Sequence, residues 1–258
     1  MNRLRRIARP LLGMAAFLLV WQLATLGNKR TDIPGPYLTW MGLSEILHQG
    51  VLARNVVASV FRVSWGFAIA TVAGIPLGIL LGRLPVLHQL VNPNIQLLRP
   101  ISPIAWLPIA TLLFGTVRWM DPSDLAAIFL IFLSSFFTIT TATASAVGAV
   151  EQKYLRSAAN FGVTGFALVR KVLFPAALPQ ILTGLRLALG VAWVVVVAAE
   201  MLGVQSGLGF QVNDARNNLR YDLVVAAMVV IGFIGLGLDA AMRAVERAEL
   251  ARRGLLRS

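Results

Sequence analysis

The chain has 258 residues, of which 57% are hydrophobic and only 13% are charged, and it carries a formal net charge of +12. A soluble domain has about 45–50% apolar and about 25% charged residues, so a soluble globular domain, a disordered chain and a secreted disulfide scaffold are all poor interpretations. Cysteine is absent, which excludes disulfides, thiolate metal sites and a cysteine nucleophile, and two histidines do not predict a metal site. The composition favours an all-α integral membrane protein with one domain, residues 1–258.

Six apolar runs are long enough, or nearly so, to cross a bilayer as helices, which takes about 17–25 residues. None alternates with the period of a barrel strand, so we expect a polytopic protein with six transmembrane helices. The first run follows four arginines, and we expect a retained span rather than a signal peptide because no small-residue cleavage site follows it. The predicted spans are 11–27, 56–82, 90–117, 124–150, 181–204 and 222–242.

Lysine and arginine lie mainly at the ends of these runs, and their distribution predicts the orientation. With the N-terminus in the cytoplasm, the inner segments hold fourteen Lys and Arg residues and the outer segments hold six. Arg62, Arg99 and Arg186 lie within or at the edge of spans and are not counted. The positive-inside rule therefore places both termini in the cytoplasm.

The second run carries a stripe of small residues, in which Ala70 is followed by Gly74, Gly78 and Gly82. Residues four apart lie on one face of a helix, and small residues there allow a second helix to approach closely. The stripe predicts a helix-packing face, which serves either a bundle that moves or a static contact.

Three prolines interrupt the third run within residues 99–108. Proline removes a backbone donor and clashes with the preceding turn, so this helix should break or kink. A break at membrane depth is tolerated where it lines a wet cavity or is buried in protein. Arg99, Ser102 and Trp106 are therefore candidates for a translocation path, although a simple kink and an Arg99 that snorkels to the inner interface are the alternatives.

Polar residues in the fourth and fifth runs extend the set of path candidates. Ser134 and Thr138 lie in a run rich in hydroxyls, which either line a polar path or bond back to helix carbonyls. Glu200 follows a run of valine and alanine, and an acid there is either functional or paired with an outer arginine such as Arg216 or Arg220.

The inner loop, residues 151–180, is the most specific feature of the sequence. Its pattern predicts a helix, a turn at Gly162 with positive φ, a short helix capped by Thr164, and a stop at Pro175 and Pro179. A short helix with apolar and basic residues suits a groove on a partner protein, or it lies on the membrane surface.

The loop resembles the cytoplasmic "EAA" loop of ABC importer permeases, whose pattern is Glu-Ala-Ala, three residues, Gly, nine residues, Ile, any residue, Leu-Pro. The spacing is intact, but Arg156 stands in place of the glutamate and Ser157 in place of the first alanine. The positions that match this pattern are Arg156, Ser157, Ala158, Gly162, Val172, Phe174 and Pro175. The resemblance assigns ATPase coupling to these positions other than Phe174, and we add two further loop residues, Phe166 and Pro179. Segments near residues 33–36, 98–109, 184–190 and 198–202 resemble the nitrate, sulfonate, taurine and bicarbonate branch of this family.

The resemblance implies a type I ABC importer permease fold in a bacterial inner membrane. It implies a homodimer, two cytoplasmic ATPase subunits that bind ATP and Mg²⁺, and an extracytoplasmic binding protein that delivers a small anion. The chain has no Gly-x-x-x-x-Gly-Lys-[Ser/Thr] phosphate loop, so we expect a transport subunit that is not itself an enzyme. It would hold no cofactor or metal and bind no nucleic acid.

Two other functions remain open from the residues alone. An ion-gradient-driven secondary carrier needs intramembrane acids, for which Glu200, Asp222 and Asp239 are the candidates, all near span ends. A membrane-embedded enzyme needs a nucleophile–base or metal constellation. The sequence offers no catalytic residue of that kind.

Overall fold

The computed structural model describes residues 2–26 and 33–252, without the side chains of residues 2–11 and 26. The described residues form helices joined by short turns, and they contain no strand. In chain order the helices are α1 (Asn2–Leu26), α2 (Pro36–His48), α3 (Val51–Arg83), α4 (Pro85–Leu98), a 3₁₀ turn (Pro103–Trp106), α5 (Leu107–Phe114), α6 (Pro122–Gly148), α7 (Gln152–Asn160), α8 (Gly165–Leu168), a π turn (Val169–Leu173), α9 (Phe174–Gly203), α10 (Leu208–Asn217) and α11 (Tyr221–Arg252).

Four helical stretches are long and apolar enough to cross a membrane: α3, α6, α11 and the continuous stretch Gly165–Gly203 that ends in α9. The pair α4 and α5 is apolar enough to form a fifth span but is bent by 88° at its break. The predicted run 11–27 falls mostly within α1, whose apolar part, Leu12–Thr25, is shorter than a span requires, and residue 27 lies outside the described residues. The expectation of six transmembrane helices is therefore not reproduced in full within the described part of the chain.

The helix α6 forms the centre of the bundle, between α3 and α9. Half of its most apolar window is buried, against 11% for α11, which lies at the periphery. Two hydrophobic clusters follow its length. The outer cluster is formed around Val63, Ile131 and Val196, and the inner cluster around Ile139 and Ile181.

The small-residue stripe of α3 faces α6. A Cβ atom built at Gly74 would lie 3.0 Å from the Ile139 side chain, and one at Gly82 would lie 2.7 Å from the carbonyl oxygen of Ala144. Gly66, one turn before Ala70, extends the same contact against Ile131. Because lipid tails are as apolar as leucine, helices in a bilayer gain little from hydrophobic burial against each other, and such close backbone approach supplies the packing energy instead.

An ion-pair cluster on the predicted outer side ties α2 to the start of α11. Arg220 contacts Glu45 at 2.6 Å and Asp222 at 2.8 Å. Hydrogen bonds to the Asp222 and Glu45 carboxylates raise the pKa of Arg220 above its usual value. The side chains are partly exposed, so the cluster holds the two helices in register and contributes little stability.

We expect Gly78→Ala to destabilise the bundle. The added Cβ would lie 2.5 Å from Thr143 Cβ and 2.8 Å from the Thr140 carbonyl oxygen, so α3 and α6 must separate. Overpacking of this kind costs about 1–3 kcal/mol. The measurement is the midpoint of heat-induced loss of the monodisperse peak in detergent.

The control is Gly237→Ala, because a Cβ at Gly237 meets nothing within 4 Å and alanine is the better helix former. Equal midpoints for the two variants would contradict the close packing of α3 against α6.

Candidate functional site

The break between α4 and α5 lies where the prolines predict it, and the expectation of a broken helix is confirmed by the 88° bend. Two of the three prolines lie at the start of a helical segment: Pro103 is the first residue of the 3₁₀ turn and Pro108 lies in the first turn of α5. Proline is tolerated there because the first N–H groups of a helix have no intrahelical partner. The chain changes direction at Pro100, just after Arg99 closes α4.

A cavity of about 260 Å³ lies beside this break. Among the described residues that line it, Arg99 has the only charged side chain, and Ser134 and Thr138 of α6 supply the hydroxyls. The remaining lining residues are apolar: Leu98, Ile101, Pro103, Leu133, Phe137 and Val191. Three of the six predicted path residues are thus brought together by α4, α6 and α9.

The two hydroxyls of the cavity are engaged with their own helix. The Ser134 hydroxyl donates to the Ile131 carbonyl at 2.9 Å, and the Thr138 hydroxyl donates to the Ser134 carbonyl at 3.0 Å. The sequence left two roles open for these hydroxyls, and hydrogen bonding to the carbonyls of their own helix is one of them. Each oxygen can therefore accept a hydrogen bond from a ligand while its proton remains on the helix.

The other three path candidates lie outside the lining of this cavity. Ser102 is exposed just before the 3₁₀ turn, and Trp106 packs against the outer hydrophobic cluster. Glu200 lies near the outer end of α9 in a separate polar cluster.

Glu200 forms an ion pair with Arg62 of α3 at 2.5 Å, where both side chains are almost fully buried. The expected partners, Arg216 and Arg220, were wrong for this acid: Arg220 pairs instead with Glu45 and Asp222. Arg62 also contacts Asp124 at the start of α6 at 2.7 Å. One arginine therefore joins α3, α6 and α9 at their predicted outer ends.

The same cluster holds the first turn of α10. The backbone N–H groups of Gly207, Leu208 and Gly209 donate to Asn55 Oδ1, Ser59 Oγ and Glu200 Oε2 at 3.1, 2.9 and 3.0 Å. These are the donors that a helix N-terminus leaves without a partner. Gly207 has φ +104°, and a Cβ there would overlap the Glu200 carboxylate, so glycine is required.

Asn55, Ser59 and Arg62 follow each other at helical spacing on one face of α3, and this was the signal in the sequence that could have identified the partner of Glu200. A lone arginine in an apolar run needs a counter-charge. The sequence does not show which acid supplies it, because Asp124 and Glu200 approach Arg62 only through the packing of three helices.

None of the three acids considered for ion coupling is without a partner. Glu200 pairs with Arg62, Asp222 with Arg220 at 2.8 Å, and Asp239 with Arg243 at 2.5 Å. Arg186, in the half of α9 on the predicted inner side, also has a partner of opposite charge, since it lies 3.6 Å from Glu246 of α11. Arg186 is therefore held by a carboxylate, and it does not line the cavity at the break.

The loop between α6 and α9 contains a helix that ends in a left-handed turn. Gly162 has φ +69°, as its position predicts. Its N–H donates to the Ala159 carbonyl, and the N–H of Val163 donates to the Ala158 carbonyl, both at 2.9 Å. This is the Schellman arrangement, which favours glycine at the left-handed position. The turn joins two short helices, α7 and α8, whose Leu155 and Leu168 pack against the inner hydrophobic cluster. Thr164 is the N-cap residue of α8, as predicted, but its side chain makes no cap hydrogen bond.

The loop presents aromatic and basic side chains to its surroundings. Phe166 is 79% exposed, and Phe161, which the sequence analysis did not single out, is 83% exposed. Arg156 and Ser157 are exposed, whereas Ala158 is buried against the bundle. Large exposed apolar side chains next to cations are typical of an interaction surface.

Pro175 and Pro179 do not end the short helix, which corrects the prediction of a stop. The chain continues without interruption from Gly165 to Gly203, with Pro175 in the first turn of α9 and Pro179 inside it. A π turn, Val169–Leu173, precedes the prolines. Its wider hydrogen-bond spacing accommodates a proline that lacks an N–H and would clash with the carbonyl four residues earlier. Val172, Pro175 and Pro179 are half-buried along this junction.

Residues 74–249 match the family model described as "Binding-protein-dependent transport system inner membrane component". The bicarbonate transport system permease protein CmpB of Synechococcus elongatus is 36% identical over 251 residues, which are 92% of this chain and 87% of that protein. The taurine transport system permease protein TauC of Escherichia coli is 36% identical over 196 residues, 76% of this chain and 69% of that protein.

The fold is also found among solved structures. A chain from the MetNI methionine ABC transporter in an inward-facing conformation has a TM-score of 0.67 to this chain. It is 21% identical, and the match covers 77% of this chain and 96% of that one. The likeness extends to the fold alone.

We expect Arg62→Met to destabilise the protein more than Glu200→Gln. Removal of Arg62 leaves a carboxylate that is 1% exposed without a cation, and breaking a buried pair in this way costs about 3–5 kcal/mol. Glu200→Gln leaves Arg62 paired with Asp124. The measurement is the denaturation midpoint of each variant in the same detergent.

The double variant Arg62→Met/Glu200→Gln serves as the control, because it removes both charges and should recover part of the loss caused by Arg62→Met. Equal, small effects of the two single variants would contradict a structural role for this pair.

Proposed function

This chain belongs to the family of binding-protein-dependent transport system inner membrane components, and we propose that it forms the path for a small anion. It is a permease subunit of an ABC transporter, and its family implies a partner ATPase and a substrate-binding protein. We propose that ATP and Mg²⁺ bind only on the ATPase subunits and that this chain performs no catalysis. Nitrate, bicarbonate and aliphatic sulfonates including taurine are the candidate substrates.

The observation that carries the coupling role is the exposed loop between α6 and α9. We infer that Phe161 and Phe166, with Arg156 and Ser157 beside them, enter a cleft on the ATPase. The part of the loop that follows the Schellman turn at Gly162 begins α8 at Gly165 and continues directly into α9. A force applied to the loop would therefore be transmitted to a membrane-spanning helix. A flexible tether in its place would not transmit that force.

The site that supports an anion path is the cavity at the break between α4 and α5. Arg99 lies between the two halves of that pair, and Ser134, Thr138 and Val191 lie near the middle of α6 and α9. These positions support an Arg99 near the level of the bilayer centre, rather than one that snorkels to the inner interface. We propose Arg99, Ser134 and Thr138 as path residues, with Ser102 beside them on the break.

The exposure of Arg99 supports the proposal that two copies of the chain assemble. The side chain is exposed and has no carboxylate within 4 Å among the described residues. Facing hydrocarbon would cost about 2.5–3.5 kcal/mol even on insertion scales. A second copy that encloses a wet path with the first would remove that cost, so we propose a homodimer.

We propose that both termini and the loop 151–180 face the cytoplasm of a bacterial cell. The protein has no cysteine, so a single introduced cysteine reports its own side of the membrane. We expect Asn217→Cys, at the end of α10, to react with a membrane-impermeant maleimide in intact spheroplasts. Gln152→Cys, in α7, should react only after lysis, and the reverse pattern would contradict this orientation.

We expect Gly162→Val to uncouple transport. Nothing lies within 4 Å of a Cβ at Gly162, so the bundle remains intact, but valine at φ +69° adds about 1–3 kcal/mol of backbone strain. Relaxation of the turn would misplace Phe161 and Phe166 and lower substrate-stimulated ATP hydrolysis about tenfold. The measurement is ATP hydrolysis and uptake by the reconstituted complex.

The matched control is Gly237→Val, which also adds a side chain where nothing lies within 4 Å. Full substrate-stimulated hydrolysis and uptake by Gly162→Val would show that the loop does not transmit the motion of the ATPase.

A further inference from the structure

The cavity beside the α4–α5 break carries information about the chemical class of its ligand. Its volume of about 260 Å³ is more than ten times the space that one water needs, which is roughly 10–15 Å³. It can therefore hold a molecule of several non-hydrogen atoms. The composition of its walls then decides what kind of molecule fits.

One end of the cavity is suited to an anionic group. Arg99 has a planar guanidinium that can bind the oxygens of a sulfonate or carboxylate through two parallel hydrogen bonds. None of the other lining residues is charged. A single cationic donor group therefore faces the ligand.

The rest of the cavity is unsuited to a bare oxyanion. Nitrate and bicarbonate carry acceptor oxygens on every side, and they lose hydration wherever no donor replaces water. The hydroxyls of Ser134 and Thr138 donate to the carbonyls of Ile131 and Ser134, so their protons are not directed at the ligand. The remaining walls, formed by Leu98, Ile101, Pro103, Leu133, Phe137 and Val191, offer no side-chain donor.

The same walls are suited to a hydrocarbon body. An alkyl or aryl group attached to the anionic end would leave water and contact the apolar side chains of α4, α6 and α9. We propose that the cavity binds an organic anion, with the sulfonate or carboxylate at Arg99 and the hydrocarbon against the apolar walls, in preference to nitrate or bicarbonate. This inference rests on the proposed function, because it assigns the substrate class of the same path.

The test is direct binding to the permease–ATPase complex in nanodiscs, without the binding protein, whose own selectivity would otherwise dominate. Methane-, ethane-, propane- and butanesulfonate are titrated by calorimetry alongside nitrate and bicarbonate. We expect affinity to rise about three- to fourfold for each added methylene. Nitrate and bicarbonate should bind at least tenfold more weakly than butanesulfonate.

Three variants separate the two ends of the cavity. Arg99→Gln should weaken the binding of every sulfonate at least tenfold, and Leu133→Ser should reduce the gain in affinity per methylene. Arg118→Gln, an exposed arginine outside the cavity, is the control and should bind as the unaltered protein does. Unchanged affinity in Arg99→Gln, no dependence on chain length, or no binding of any sulfonate would overturn the inference.

A parallel assay distinguishes failure of this inference from failure of the proposed function. ATP-dependent uptake of nitrate or bicarbonate by the full complex, without sulfonate binding to the cavity, would overturn the organic-anion assignment and leave the anion-importer function intact. Absence of ATP-dependent uptake for every anion tested would overturn the proposed function, and this inference with it.

Discussion

A broken helix at the middle of a membrane must be enclosed by protein or water, and this constraint organises the functional part of the molecule. The backbone groups released by Pro100, Pro103 and Pro108 have no partner in hydrocarbon, and Arg99 beside them carries a charge. The structure encloses one side of the break with α6 and α9, which leaves a cavity. The open side requires water or a second protein surface, so the anion path and the proposed assembly of two copies have the same physical origin.

The two ends of the bundle are built differently. On the predicted outer side, Arg62 joins three helices through Glu200 and Asp124, and the first turn of α10 is hydrogen-bonded to the same cluster. Arg62, Glu200 and Asp124 each have a counter-charge within this cluster, which favours a rigid end. On the predicted inner side, the loop after α6 exposes Phe161 and Phe166. An exposed aromatic surface of this kind becomes stable only when a partner covers it.

One continuous helix connects these regions. The stretch Gly165–Gly203 carries Phe166 near its first residue, Val191 at the wall of the cavity and Glu200 at the outer cluster. At 1.5 Å per residue, its 39 residues extend about 58 Å. The π turn before Pro175 is the irregular point along it, and π turns are frequent at functional sites because they change the direction of the side chains that follow. A partner that binds the loop would therefore act on the cavity wall through this one continuous helix.

Local composition, spacing and motifs were enough to predict the membrane class, most of the helical spans, the break near Arg99, the left-handed turn at Gly162 and the family. Only the tertiary structure decided that Arg62 is the partner of Glu200 and that Arg99, Ser134 and Thr138 share a cavity from which Trp106 and Glu200 are excluded. It also decided that the helix continues past Pro175. These facts depend on how α3, α4, α6 and α9 rotate and cross. Crossing is set by the packing of small and large side chains from segments that are far apart in the sequence, which no local pattern encodes.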